Sequence, residues 1–292
     1  PQKNRGNSCK QTYLMGETTI IAEIGKNWIY TEQELSVEEN LARAKELVSA
    51  AKNSNADIVK LQCHVFEDEQ HKRSEARYEW TKRNERATPY ETFWKPLRAF
   101  CGEAGISFLV TPMSKLAAAK INDLVYQWKI GSGDITDLEL LEYVARSDKP
   151  IILSSGMSLL KELDHAVSLI RQFNTNLTIL QCTSEYPCPE DKVNLNVMKE
   201  YEWRYQTKDI GFSDHTLSLT IPAIAVAMGA KVIEKHFTLD RNAFGPDHKA
   251  SLLPEEFKEM VQNIRWTEMI MGSKEKKLTE EELRFRKIFR KV

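Results

Sequence analysis

The chain has 292 residues, 41% of them apolar and 28% charged, with a formal net charge of −1. That length suits a single sizeable core, and the near-neutral balance leaves no basic footprint for nucleic acid or an anionic membrane surface. No apolar run approaches the roughly 20 residues that span a bilayer, and the N-terminus carries no signal-peptide core, so the expectation is a cytoplasmic protein acting on small molecules.

Residues 1–18 are polar and read as an extension ahead of the fold. Eight short apolar runs then follow: Thr19–Gly25, Ile58–Gln62, Ser107–Thr111, Gln127–Ile130, Pro150–Ser154, Leu177–Gln181, Asp209–Ser213 and Lys231–His236. Helical periodicity is read at Val37–Asn53, Ser114–Asn122, Leu138–Arg146, Leu159–Gln172, Leu217–Met228 and, opening on a proline, Pro254–Met271. The charged stretch Glu67–Pro89 interrupts the second and third runs and reads either as a lid or as a solvated loop or helix. Alternating strands and helices predict an α/β fold, a (β/α)8 TIM barrel over residues 19–272, with 273–292 as a C-terminal helix or linker. The odd cysteine set (Cys9, Cys63, Cys101, Cys182, Cys188) has no paired metal spacing and reads as free thiols of a reducing compartment.

In such a barrel the C-terminal strand ends converge on one site. Lysine is rarely buried without a partner, yet Lys60 and Lys129 stand inside predicted strands. Period-2 alternation puts Lys60 and Gln62 on one face, opposite Val59 and Leu61. Two lysines at one mouth call for an anion, and Thr111, Gly131-Ser132-Gly133 and Ser154-Ser155-Gly156 offer hydroxyls and backbone N–H groups suited to a phosphate. The competing reading pairs each lysine with a barrel glutamate, Glu23 or Glu234, as structure alone. His215 and His236 close the last two runs. Strands about 4.8 Å apart let both imidazoles reach one ion and leave coordination positions open, with Asp247 within approach. A lone strand histidine is more simply a hydrogen-bonded core residue, and His64, His71 and His165 are left structural or exposed.

Taken together, Ile21–Gly25, Ala56–Gln62, Phe108–Pro112, Trp128–Asp134, Ile152–Met157, Gly211–Thr216 and Glu234–Thr238 resemble the catalytic barrel of the sialic acid synthase family, with its legionaminic, pseudaminic and spore-coat polysaccharide branches. The resemblance implies a transferase that condenses phosphoenolpyruvate with an N-acetylated hexose, N-acetylmannosamine or a related amino sugar, giving a nonulosonic acid and phosphate. By position it implies that Lys60, Thr111, Lys129, Ser132, Ser154 and Ser213 hold phosphoenolpyruvate. Gln62, Ser184, Tyr186 and Asp247 would line the sugar, and His215 and His236 would bind a divalent metal, Mn or Mg. Glu23 and Asp134, with the two histidines, would carry the chemistry, and a homodimer is implied as well.

Three departures from the family pattern fall on the sugar side and predict a variant acceptor. Asn27-Trp28-Ile29-Tyr30 replaces a polar loop, Ser184 stands where asparagine is common, and Asp134 replaces glutamate. An antifreeze-like domain usually follows the barrel in this family, whereas this sequence stops at Val292 in what resembles the linker to it. Two rival readings keep the fold: a 3-deoxy-2-keto sugar acid phosphate synthase using a phosphorylated acceptor, and a non-catalytic sugar-binding barrel.

Overall fold

The computed structural model describes residues 17–69 and 75–291; most of the expected N-terminal extension, Cys9 and His71 lie outside the described residues. The strands are β1 Thr19–Gly25, β2 Ile58–Cys63, β3 Ser107–Pro112, β4 Trp128–Ile130, β5 Ile151–Ser154, β6 Leu177–Cys182, β7 Ile210–Asp214 and β8 Val232–His236. The helices are α1 Val37–Asn53, α2 Phe66–Glu69, α3 Glu75–Ala87, α4 Lys95–Glu103, α5 Lys115–Ile121, α6 Leu138–Ala145, α7 Leu160–Arg171, α8 Val197–Tyr205, α9 Ile221–Ala227, α10 Pro254–Met271 and α11 Glu280–Phe289. All strand pairs are parallel, in the order β3-β2-β1-β8-β7-β6-β5-β4. The end strands β3 and β4 lie side by side, so the sheet curls into the expected barrel with one seam.

Alternation along each strand builds two cores. Outward residues such as Ile20, Ala22, Val59, Leu61 and Val110 pack under the helices, where α1 adds Ala44, Leu47, Val48 and Ala51 from a helix started by a Ser36–Glu39 capping box. Inward residues Ile21, Ile58, Leu109, Ile152, Leu180 and Val232 form a separate apolar layer inside the barrel. Each lies two positions before an inward polar residue: Glu23, Lys60, Thr111, Ser154, Cys182 and Glu234. The barrel therefore has an apolar floor and a polar storey above it. Gly211 is the β7 member of the floor. A Cβ there would lie 2.4 Å from Val232 O and 2.6 Å from Leu180 Cδ2, so the crowded axis takes a residue without a side chain.

Helices differ from the sequence reading in three places. α4 and α8 were not legible. α4 follows a wide π turn at Tyr90–Trp94 and carries Pro96 in its first turn. α8 buries only Met198, Tyr201 and Tyr205, too sparse an apolar stripe to stand out. The helix expected from Leu217 begins at Ile221, because Ser218 and Thr220 hold a turn and Pro222 sits in the first helical turn. The insertion after β2 is largely helical, as α2 and α3. Cys63, Cys101, Cys182 and Cys188 are free thiols. Every residue of α11 is exposed.

Candidate active site

The polar storey gathers most of the residues singled out in the sequence. Lys60 and Lys129 are buried, and both reach Glu234, at 3.7 and 3.8 Å. Lys60 Nζ also lies 2.8 Å from Glu23 Oε2 and donates to Thr111 Oγ1 at 3.0 Å. Lys129 Nζ donates to Ser154 Oγ at 2.6 Å and to its neighbouring carbonyl, Ile130 O, at 3.0 Å. Ser213 Oγ donates to Glu234 Oε1 at 3.0 Å. Glu234 is thus the hub of the storey. Burial alone would raise its pKa, but Lys129 and Lys60 overcome that and hold it down at about 2, so it is ionised. Burial pushes the Glu23 carboxyl up from its ordinary value, against the pull of Lys60 and with a further push from Glu234. Two ammonium groups therefore face one firmly ionised carboxylate.

Beside Lys129, the Gly156 N–H donates to Ser132 Oγ at 3.0 Å, and Ser132 Oγ donates to Cys182 Sγ at 3.5 Å. Ser184 Oγ is 3.9 Å from the same sulfur. The same sulfur lies 3.9 Å from His215 Nδ1, so Ser184 stands near Ser132 where the lysine and histidine ends of the mouth meet. Asp134 is buried just after β4, on the short turn that follows Gly131.

The other end of the mouth is built around β1, β7 and β8. The register sets Glu23 beside both Lys60 and His236. His215 and His236 have ring centroids 5.3 Å apart, and the Tyr186 ring lies 4.1 Å from His215 and 5.7 Å from His236. His215 Nδ1 donates to Thr183 O at 2.7 Å, which leaves Nε2 as the lone-pair nitrogen. His236 Nδ1 is buried with no hydrogen-bond partner; burial holds its pKa down at about 3, so this imidazole is neutral. Gly25, at φ +55°, packs where Glu23, Gln62 and Asp247 meet. A Cβ there would lie 3.1 Å from Glu23 Oε1, 3.3 Å from Gln62 Nε2 and 3.4 Å from Asp247 Oδ2.

With this geometry in place, comparison with known proteins is decisive. A model described as the NeuB family matches residues 47–276. The chain belongs to the NeuB family. It is 38% identical over 288 residues to N,N'-diacetyllegionaminic acid synthase of Legionella pneumophila, covering 93% of this chain and 78% of that one. It is 34% identical over 269 residues to human N-acetylneuraminate-9-phosphate synthase, covering 89% and 72%. Its fold superposes on a sialic acid synthetase of Leptospira borgpetersenii with a TM-score of 0.83 and 29% identity, over 94% of this chain and 93% of that one. These NeuB relatives are synthases, and this chain is an enzyme of that condensing, transferase type.

Two features of this NeuB barrel were not legible as site features. Glu234 entered the sequence reading only as a structural partner for lysine, although its i, i+2 spacing from His236 puts both on the inward face. Lys26 carried no signal; it lies 3.9 Å from Asp247 Oδ2 with a side chain 19% exposed, a cation beside that carboxylate. Trp28, in the turn after β1, is fully buried against Phe93, ring centroids 5.3 Å apart, in the outer core.

Proposed function

We propose that this barrel condenses phosphoenolpyruvate with an open-chain N-acetylated hexose, N-acetylmannosamine or a related amino sugar, to give a nonulosonic acid and inorganic phosphate. One observation carries this reading. Two buried ammonium groups and two imidazoles open into one mouth, linked through Glu234 and Glu23. The phosphate and carboxylate of the enol phosphate match the ammonium groups of Lys60 and Lys129 and the hydroxyls of Thr111, Ser132, Ser154 and Ser213. The acceptor then lies towards Gln62, Tyr186 and Asp247.

The imidazole pair also fits a divalent ion, since His215 presents Nε2 and the buried His236 Nδ1 has no protein partner. Among the described residues no group of three or more His, Cys, Asp or Glu side chains is arranged for a metal, and His215 and His236 alone would leave coordination positions open for water and substrate. Mn or Mg held by His215 and His236 supplies Lewis-acid polarisation of the acceptor aldehyde. The chain's own residues do the rest. Carbon 3 of an enol phosphate is a modest nucleophile, and its attack leaves cationic character at carbon 2. Glu23, fixed by Gln62 Nε2 at 2.9 Å and by Lys60, is placed to stabilise that charge and to take the proton of the water that quenches it. Asp134 approaches from the β4 side as a second carboxylate. A cytoplasmic setting and a homodimer belong to the same reading, and no described helix is long and apolar enough to cross a membrane.

The test is phosphate release from phosphoenolpyruvate with Mn or Mg and a panel of N-acetylated hexoses, phosphorylated and unphosphorylated, with Lys129→Ala and His236→Ala as controls. Release with an unphosphorylated acceptor is expected. Release confined to phosphorylated acceptors favours the sugar acid phosphate synthase, and metal binding without any release favours the non-catalytic barrel. Separately, Mn at a hundredfold over its Kd is expected to stabilise the fold by about 2.7 kcal/mol, a rise of roughly 4 °C in Tm for a chain of this size. A rise that survives in the double variant His215→Ala/His236→Ala would move the ion elsewhere.

A further inference from the structure

We propose that Arg83, on α3, is a positioning residue for the acceptor end of the mouth, acting through two loops that it ties together and touching no substrate itself; its kinetic consequence rests on the synthase reading above. The guanidinium donates to three consecutive carbonyls of the β1–α1 loop, Thr31 O at 2.7 Å, Glu32 O at 2.9 Å and Gln33 O at 2.8 Å. Arg86, one turn on, pairs with Glu34 at 2.5 Å. On its other side the Arg83 guanidinium lies 5.8 Å from the Trp80 ring and 5.7 Å from the Phe244 ring, and those two rings stack at 5.4 Å and 19°. Phe244 belongs to the loop after β8, so one side chain of the insertion grips both flanking loops.

The two loops are also pinned to each other. Phe244 N donates to Tyr30 O at 3.2 Å, and His248 Nε2 donates to Ile29 O at 3.2 Å. Asn27 Nδ2 donates to Phe237 O at 2.9 Å and to Ser251 Oγ at 3.0 Å. Asp247 sits between the Phe244 and His248 pins, with Lys26 facing it. The carboxylate at the acceptor end therefore stands on a loop pair whose outer brace is Arg83. An exposed arginine on a single carboxylate contributes little. A planar fork on three carbonyls of an irregular segment instead selects one conformation for that segment, and lysine cannot reproduce the fork. Reaction rates are sensitive to displacements of about 1 Å in such a loop.

Arg83→Ala is expected to raise the acceptor KM about tenfold or more while the phosphoenolpyruvate KM stays within about twofold, with Arg83→Lys recovering part of the loss. Hydrogen exchange should quicken both in residues 26–33 and, across the loop pair, in residues 242–250. An unchanged acceptor KM, equal rises in both KM values, or faster exchange confined to residues 31–36 overturns the proposal. If the wild-type protein turns over no acceptor, the synthase reading falls, while the exchange pattern still decides whether Arg83 couples the loops.

Discussion

Lys129→Ala is expected to lower kcat/KM for phosphoenolpyruvate by about 10²–10³-fold, the loss that follows removal of one preorganised electrostatic contact. Lys129 is buried, its pKa depressed by that burial against the pull of Glu234, and its ammonium is fixed by Ser154 Oγ and Ile130 O. A group held this way needs no reorganisation when an anion arrives. Stability should change far less than activity. Glu234 keeps Lys60 at 3.7 Å and Ser213 at 3.0 Å, so the variant leaves no buried carboxylate without a partner. Initial rates of phosphate release, set beside the thermal midpoint, separate the two effects. A rate loss below about tenfold would place the anion somewhere other than this cradle.

Lys235→Met is expected to give the largest loss of stability, about 3–5 kcal/mol, because it strands a buried carboxylate. Lys235 lies between Glu234 and His236 in sequence but faces the other side of β8, where it and Asp214 are fully buried. Its Nζ donates to Asp214 Oδ2 at 2.5 Å, Thr216 O at 2.6 Å and Ser218 O at 3.3 Å. Asp214 Oδ1 in turn accepts from Thr216 N at 2.9 Å. These contacts shape the turn that carries His215. The drop corresponds to roughly 5–8 °C in Tm. The double variant Asp214→Leu/Lys235→Met should regain much of it, since a buried pair replaced by apolar groups is often tolerated. A single variant melting within about 2 °C of wild type would contradict the account.

The eight strands were legible because each is a short apolar run, and Lys60 and Lys129 because a charge inside such a run demands a partner. The histidine pair was legible because both stand at strand ends, on adjacent strands. What stayed hidden depended on contacts between distant segments. The reading that paired lysine with barrel glutamate holds, since Glu234 serves both lysines and Glu23 serves Lys60; it does not exclude the one that gives them to a substrate anion. Ser184 comes close to Ser132 across Gly156 because the ends of β4, β5 and β6 converge, which no spacing along the chain reports. Trp28 followed a glycine-ended strand and resembled a loop residue, yet the π turn at Tyr90–Trp94 delivers Phe93 to cover it. Arg83 lay in a stretch read only as charged, because its partners are carbonyls.

The apolar floor has a consequence for traffic. With Ile21, Ile58, Leu109, Ile152, Leu180 and Val232 plugging the axis beneath the lysines, the cavity is a well with one entrance. On the proposed synthase reading, with the enol phosphate at Lys60 and Lys129 and the acceptor towards Tyr186 and Asp247, the enol phosphate would bind first and phosphate would leave last. Phosphate should then inhibit competitively against phosphoenolpyruvate and non-competitively against the acceptor, whereas tight acceptor binding to the empty well would show that a second way in exists.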